Sequence, residues 1–345
     1  MKTTTKAHFA NVFFETDLDG RYNNIYEAIS SHPNFLQLQY LPTLYQKDDE
    51  ITLVTHLAEN ARSVALIEPK TIERCFIEPW GISECLLKDF NSSLSILNDC
   101  PLETVKELSS KLWSFKYLQA YVKDAVTLTI NQEVDSFLKI LTFPAVFKTP
   151  QGFSGRGNLV VYDLEKEKQK LEKWLLDYFG CQLIVEPWLE RTVDFSTQWY
   201  ITDNDISCLG ATVLVNTERG SYLGNQFFPN DPFLLIRHPQ VEEHYTLANK
   251  ILQEIQRLGF RGNLGIDAFF YKRNGVEQLL PIVEINPRKT MGFVTLQFAK
   301  NQRFEKNILM KLSDNKDVSH PLLPTEIKYE NKIIKFKKNL SYELF

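Results

Sequence analysis

The chain has little of what marks several large protein classes. Its five cysteines (Cys75, Cys85, Cys100, Cys181 and Cys208) are odd in number, widely spaced and free of any CxxC pair. That pattern argues against a disulfide framework or a zinc ribbon and fits reduced, mostly buried thiols in a cytoplasm. Fourteen glycines and fifteen prolines, scattered along 345 residues, are too few for a collagen-like or disordered chain. No stretch reaches the roughly 20 apolar residues of a membrane span. Lys2 and Lys6 near the N-terminus have no apolar run behind them, which argues against a secretory signal. Neither sign of charge dominates. A net charge of −4 argues against a main role in gripping nucleic acid or an anionic membrane. The six histidines are dispersed, and His238 and His244, six apart, make a poor helical metal pair.

What is present is an ordinary globular balance, 43% hydrophobic and 24% charged, long enough for two domains or one composite domain. No internal repeat or low-complexity tract is visible. Apolar runs alternate with amphipathic helical stretches, which predicts a mixed α/β and α+β fold. Residues 7–14, 51–56 and 63–68 read as strands, with a helix over Tyr22–Ser30, and together they predict a small open α/β domain over residues 1–105. A helix is expected over 103–124, opened by Pro101 and Glu103. Strands follow at Pro144–Lys148 and Asn158–Tyr162, then a helix over 164–179 that Gly180 stops. Further strands are expected at 182–186, 195–202 and 205–216, with an amphipathic helix at 241–258. Residues 263–271 and 278–286 read as a hairpin about Asn274-Gly275. The tail, 313–345, is set apart, with Glu326–Lys338 as an edge strand kept soluble by its lysines.

The hairpin carries the sharpest chemistry. A two-residue turn at Asn274-Gly275 pairs Asp267 with Ile282 and puts Asp267, Glu284 and Asn286 on one face, with Glu284 diagonal to Asp267. Adjacent carboxylates repel unless something positive sits between them. Hard oxygen donors of this kind suit Mg2+, with Mn2+ as a stand-in. The alternative is a polar solvated face on which Asn286 caps a loop. A second feature is KTPQGFSGRG, residues 148–157, where a strand delivers Lys148 into a loop with Gly152, Ser154, Gly155, Arg156 and Gly157. Glycines let backbone N–H groups approach phosphate oxygens. The loop matches neither standard phosphate-binding glycine motif and leads into a strand, so it reads as a flap over phosphates or as a plain hairpin turn. A third is VEPWLERTVDFSTQW, residues 185–199, where Glu186 ends a strand and Trp188 and Leu189 follow a proline. That bend suits a purine edge and face, with Asp194 on ribose, although Trp188 could equally pack a core.

In this order the stretches resemble the ATP-grasp superfamily of carboxylate–amine ligases: a strand lysine, a Gly-rich flap, a Glu-x-x-Leu hinge with a later acid, an Asp, then Glu-x-Asn. The resemblance covers roughly residues 105–300. It implies an ATP-grasp domain over 106–312, with a small subdomain near 125–190 and a large one near 191–312, preceded by the α/β domain. It implies ATP and Mg2+ as cofactors, Lys116 and Lys148 on the nucleotide phosphates, Glu186 and Leu189 about the adenine, and Asp267, Glu284 and Asn286 on Mg2+. Arg288 would hold the transferring phosphoryl group or the acyl-phosphate. Dipeptide-forming ligases often carry Arg two residues before the metal Asp. Here that position is Gly265, so Arg288 or Arg261 would take over its charge. The run 286–292 (NPRKTMG) departs from the small-residue loop of the D-alanine ligases, which favours an amino-acid or peptide ligase of secondary metabolism.

The implied reaction makes an acyl-phosphate and ADP from a carboxylate and ATP, then exchanges phosphate for an amine. The partners are therefore small-molecule carboxylates and amines, with Arg219, Tyr222 and Asn225 as candidates to hold them. A homodimer is expected by analogy. The rival readings are a phosphotransferase acting on a hydroxyl and a non-catalytic nucleotide-binding regulator.

Overall fold

The computed structural model describes residues 5–59, 61–68, 71, 75–90, 100–130, 138, 141–152, 157–217, 222–329 and 332–345. At the N-terminus β1 (Thr5–Phe9), helices α1 (Ile25–Ser30) and α2 (Pro33–Leu38), β2 (Ile51–Val54), β3 (Val64–Leu66), β4 (Cys75–Pro79) and helix α3 (Glu84–Phe90) build a small α/β layer. Its strands are parallel in the order β3-β2-β1-β4. The three expected strands form, but β1 stops at Phe9 rather than at residue 14. The chain turns there because the Asn11 side chain accepts from the Trp80 and Gly81 N–H groups and donates to the Gly81 carbonyl, tying the end of β1 to the end of β4. Asn24 and His32 cap α1 and α2 by accepting from the Glu27 and Asn34 amides.

The single helix expected over 103–124 is two helices, α4 (Leu102–Ser109) and α5 (Lys111–Leu118). Ser110 leaves helical geometry (φ −76, ψ 126), and its hydroxyl accepts from Leu112 N to cap α5. Next come β5 (Val126–Thr129), β6 (Ala145–Lys148), β7 (Asn158–Val161), helix α6 (Leu164–Leu176) and β8 (Gln182–Pro187). These strands form an antiparallel sheet in the order β5-β8-β6-β7. Asp163 caps α6, and Leu171 and Leu175 bury its apolar face on Phe147, Leu183 and Val185.

The large sheet takes β9 (Glu190–Ile201), β10 (Ile206–Asn216), β11 (Tyr222–Phe227), β12 (Gly262–Arg273), β13 (Val276–Asn286) and β14 (Ile308–Asp314). A separate hairpin of β15 (Glu326–Tyr329) and β16 (Lys332–Lys335) follows, and β17 (Lys338–Leu344) closes the chain. The order is β13-β12-β9-β10-β11-β14-β17, antiparallel throughout. The expected edge strand at 326–338 is thus corrected. Those residues fold into their own hairpin and its approach, and the edge of the large sheet is β17. Helices α7 (Val241–Arg257) and α8 (Met291–Asn301) cover the sheet. The α7 face of Val241, Ala248, Ile251, Leu252 and Ile255 is buried, and each fully buried Leu or Ile contributes about 1.5–3 kcal/mol.

One buried cluster runs from Ala7, Phe13 and Leu53 through Trp199, Leu264 and Ile285 to Met310 and Leu340. The first layer and the large sheet therefore share a core. Gln37 reinforces the joint by donating to the Pro324 and Lys338 carbonyls at 2.9 and 3.0 Å. Among the described residues no helix is long and apolar enough to cross a membrane.

Candidate active site

The β12–β13 turn has the expected form. Asn274 (φ 54) and Gly275 (φ 76) are both left-handed, as a two-residue type I′ hairpin demands. The expected register holds from Arg273↔Val276 to Phe269↔Leu280 and then breaks. Beyond the break Asp267 stands opposite Glu284 and Gly265 opposite Asn286. The expectation that Asp267 faces Ile282 is corrected, and Glu284 is a direct partner rather than a diagonal one. Between the two registers Ala268 alone faces Pro281, Ile282 and Val283. An excess of two residues on β13 preserves the alternation of faces, so the two carboxylates still share one side of the sheet. Pro281 has no N–H for the ladder, which favours the interruption there.

Gly265 has a steric cause. A Cβ at this position would lie 2.7 Å from Thr290 Cγ2. An arginine there would have to displace the Thr290 side chain. Of its two candidate replacements, Arg288 lines the cleft and Arg261 does not. Arg261 donates instead to Asp203 at 2.7 Å and to the Gln256 and Phe260 carbonyls on the outer face.

Burial, and then the charge of Glu284, push the Asp267 carboxyl up to about 6. Asn286 Nδ2 donates to Asp267 Oδ2 at 3.1 Å, and Lys111 Nζ lies 3.1 Å from Glu284 Oε1. Two facing carboxylates and an amide, with one carboxyl driven toward its neutral form, match the donor set of a hard divalent cation. Among the described residues no three His, Cys, Asp or Glu side chains gather for a metal. The candidate set is two acids and an amide.

The same cleft, about 230 Å3, gathers charged groups from two sheets, from α5 and from the loop after β13. Lys148 Nζ donates to Glu186 Oε2 at 2.5 Å with both side chains buried. Asp194 accepts from Arg191 at 3.1 Å and from Asn216 Nδ2 at 3.1 Å. Asn225 Nδ2 donates to the Tyr222 hydroxyl at 2.6 Å, and burial pushes that phenol up. Arg288 Nε donates to Glu15 Oε1 of the first layer at 2.7 Å.

Other expected site residues stand elsewhere. Lys116 lies on the outer face of α5, 2.7 Å from Glu254 Oε1 and 4.0 Å over the Trp113 ring. Trp188 and Leu189 border a neighbouring groove, where the Arg191 guanidinium sits 5.1 Å from the Trp188 ring. Gly152 and Gly157 stand at the two ends of the expected flap, with Gly152 accepting from Lys111 Nζ at 2.6 Å and Gly157 from Thr149 N at 2.9 Å. Ser154, Gly155, Arg156 and Arg219 lie outside the described residues.

Sequence reasoning missed Lys111, Arg191, Ser196 and Glu15. The break at Ser110 turns Lys111 toward the cleft and leaves Lys116 outside. The one signal was Ser110 itself, a residue type that favours helix N-caps. Arg191 stood within a stretch already singled out. Glu15 carries no local signal, because its partner is 273 residues away.

No protein-family model matches the sequence. Over 163 residues the chain is 27% identical to the butirosin acyl-carrier-protein–L-glutamate ligase of Niallia circulans, a match covering 46% of this chain and 36% of that relative. The chain therefore aligns with little more than a third of that relative's length. The structure is similar to N5-carboxyaminoimidazole synthetase from Staphylococcus aureus complexed with ADP, with a TM-score of 0.59 and 16% identity over 92% of this chain and 84% of that one. It is also similar to a putative ATP-grasp superfamily protein from Archaeoglobus fulgidus, with a TM-score of 0.51 and 12% identity over 99% of both chains. The fold of this chain is the ATP-grasp fold.

Proposed function

We propose that the chain is an ATP-dependent ligase joining a carboxylate to an amine through an acyl-phosphate. The observation that carries this reading is the direct pairing of Asp267 with Glu284, beside Asn286, in a cleft that also holds Lys111, Lys148 and Arg288. The similarity to a named ligase supports a ligase over a phosphotransferase acting on a hydroxyl.

Asp267, Glu284 and Asn286 would hold Mg2+, which neutralises charge on the terminal phosphates when bound. In the described structure the cationic side chains are taken up internally, Lys148 by Glu186 and Lys111 by Glu284. Phosphate oxygens are stronger partners for a lysine in a water-poor cleft, so nucleotide binding exchanges these pairs rather than filling a preformed void. The chain between β8 and β9 offers backbone donors and acceptors to the adenine edge, and Asp194 accepts from ribose. Arg288 holds the acyl-phosphate.

A substrate carboxylate oxygen attacks the γ-phosphorus, the bond to the β–γ bridging oxygen breaks, and ADP leaves. The amine nitrogen then attacks the acyl carbon, inorganic phosphate leaves, and the nitrogen loses a proton. A free carboxylate is a poor electrophile and phosphorylation supplies its leaving group, so the protein contributes mainly positioning and charge neutralisation. The flap 152–157 would keep water from the intermediate. Substrates are a small carboxylate and an amine held near Tyr222, Asn225 and Arg219, and the relative's printed substrates make L-glutamate and a carrier protein the first to try. A cytoplasmic homodimer belongs to the same reading.

The test is incubation with Mg-ATP, pools of amino and carboxylic acids, and hydroxylamine. Acid-dependent ADP release with hydroxamate formation is expected. ADP appearing with a phosphorylated alcohol would identify a phosphotransferase, and nucleotide binding without turnover on any pool would identify a regulator. Glu284→Gln is expected to lower turnover far more than it weakens nucleotide binding.

A further inference from the structure

The face-to-face acid pair exists only because β13 carries two surplus residues between Leu280 and Glu284. Removing the irregularity would place Asp267 opposite Ile282. Two contacts from outside the sheet hold this stretch: Ile285 N donates to Ser114 Oγ at 3.2 Å beyond the surplus, and His244 meets the surplus itself. The Pro281 carbonyl lies 2.6 Å from His244 Nδ1. A carbonyl can only accept, so His244 Nδ1 carries the hydrogen. The other ring nitrogen, Nε2, lies 2.8 Å from Thr197 Oγ1. With its hydrogen on Nδ1 the neutral ring accepts at Nε2 from the Thr197 hydroxyl, whose oxygen in turn accepts from Trp199 Nε1 at 2.8 Å. Both ring nitrogens are used and the tautomer is set.

The two partners lie on either side of β12. Thr197 is on β9 and pairs with Ile266, while the adjacent Ser196 pairs with Asp267. Pro281 is on β13, three residues before Glu284. One imidazole, delivered by α7 and with none of its surface exposed, thus ties the two strands that flank the Asp267 strand. Burial lowers the His244 pKa to about 4 even though the Pro281 carbonyl favours the charged form, so the ring stays neutral near pH 7.

We propose that His244 is a positioning residue that pins the β13 irregularity through Pro281 and thereby keeps Glu284 and Asn286 in register with Asp267 for a divalent cation. This rests on the metal-site reading above. The effect acts through the strand, as outer-shell hydrogen bonds to metal ligands do, and losses of that kind run to about 10–100-fold in metal affinity.

The experiment measures Mn2+ affinity by electron paramagnetic resonance on the full chain with ADP, ADP affinity in EDTA, and the Mg2+ concentration for half-maximal turnover. His244→Phe keeps a buried ring without the donor. It is expected to weaken Mn2+ binding about tenfold and raise the Mg2+ requirement in step, with ADP affinity in EDTA changed less than about twofold. His244→Asn keeps a donor near the Nδ1 position and is expected to restore most of the loss. A folded His244→Phe that binds Mn2+ like the wild type, or an Asn variant as impaired as the Phe variant, overturns the proposal. Should His244→Phe not fold, Thr197→Val, similar in shape, removes the other half of the tie. Unchanged Mn2+ affinity there overturns the proposal as well. Failure of the wild-type chain to bind Mn2+ with ADP would instead sink the metal-site reading itself.

Discussion

Two acidic clusters, one buried and one half-buried, lie about the 286–290 loop, and the fold treats them in opposite ways. At the joint between the first layer and the large sheet, Glu78 is met by Lys6 at 2.5 Å, by Lys289 at 3.3 Å and by Asn263 Nδ2 at 3.1 Å. Glu50 beside it is met by His8 at 2.8 Å. Burial alone would raise both acids. Lys289 and His8 at Glu78, and the His8 and Lys47 hydrogen bonds at Glu50, outweigh it and bring Glu50 to about 2 and Glu78 well below its ordinary value. In the cleft, Asp267 faces a second carboxylate and is raised to about 6. The first cluster is saturated with cations and anchors the loop, since Lys289 also donates from Nζ to the Pro79 carbonyl and from its amide to the Trp80 carbonyl. The second has a single lysine, Lys111 on Glu284, for two facing carboxylates. With one lysine for two facing carboxylates, the cleft pair is the less neutralised of the two, and the proposed Mg2+ site rests on that contrast.

The contrast can be broken in several ways. The largest effect is expected from Asp267→Asn, which should cut Mg2+-dependent turnover on the order of a thousandfold. The same change should raise the melting temperature at pH 7 without divalent cation, because it removes a charge that Glu284 repels. A lower melting temperature would show that the pair is not strained. Glu78→Gln should do the reverse to stability. It leaves Lys289 buried without its counter-charge and is expected to cost about 3–5 kcal/mol in urea unfolding. Lys111→Ala is expected to raise the KM for ATP about tenfold, the worth of one charge-assisted hydrogen bond. Lys116→Ala, which breaks only an exposed pair, should stay within about twofold. Equal effects would undo the assignment of the cleft lysine. The smallest effect is the acid limb of stability. Glu50 has a depressed folded pKa, so its contribution is complete above about 4.5 and is lost as pH falls toward 2. Glu50→Gln should flatten that limb in melting curves recorded across it.

Much of this was legible in the residues. Asn274-Gly275 predicted the turn, and period-two alternation predicted that Asp267, Glu284 and Asn286 share a face, because parity survives a shift of two. Lys148 and Glu186 were visible as residues, but their ion pair was not, since it depends on β6 lying against β8. The helix over 103–124 looked continuous because its apolar spacing runs through Ser110. The cap that divides it depends on one side-chain hydrogen bond.

By itself the sequence determined many of the strands and helices, the tight turn and the side of the sheet on which the acids stand, since these follow from local φ/ψ preference and from alternation along a strand. The tertiary structure alone decided that Asp267 meets Glu284 directly, that Lys111 rather than Lys116 reaches them, and that Arg288 meets Glu15. Each of these depends on a hydrogen bond or ion pair between segments far apart in the chain, such as His244 to Pro281, whose strength comes from burial. Burial is a property of the packed molecule, and no local pattern carries it.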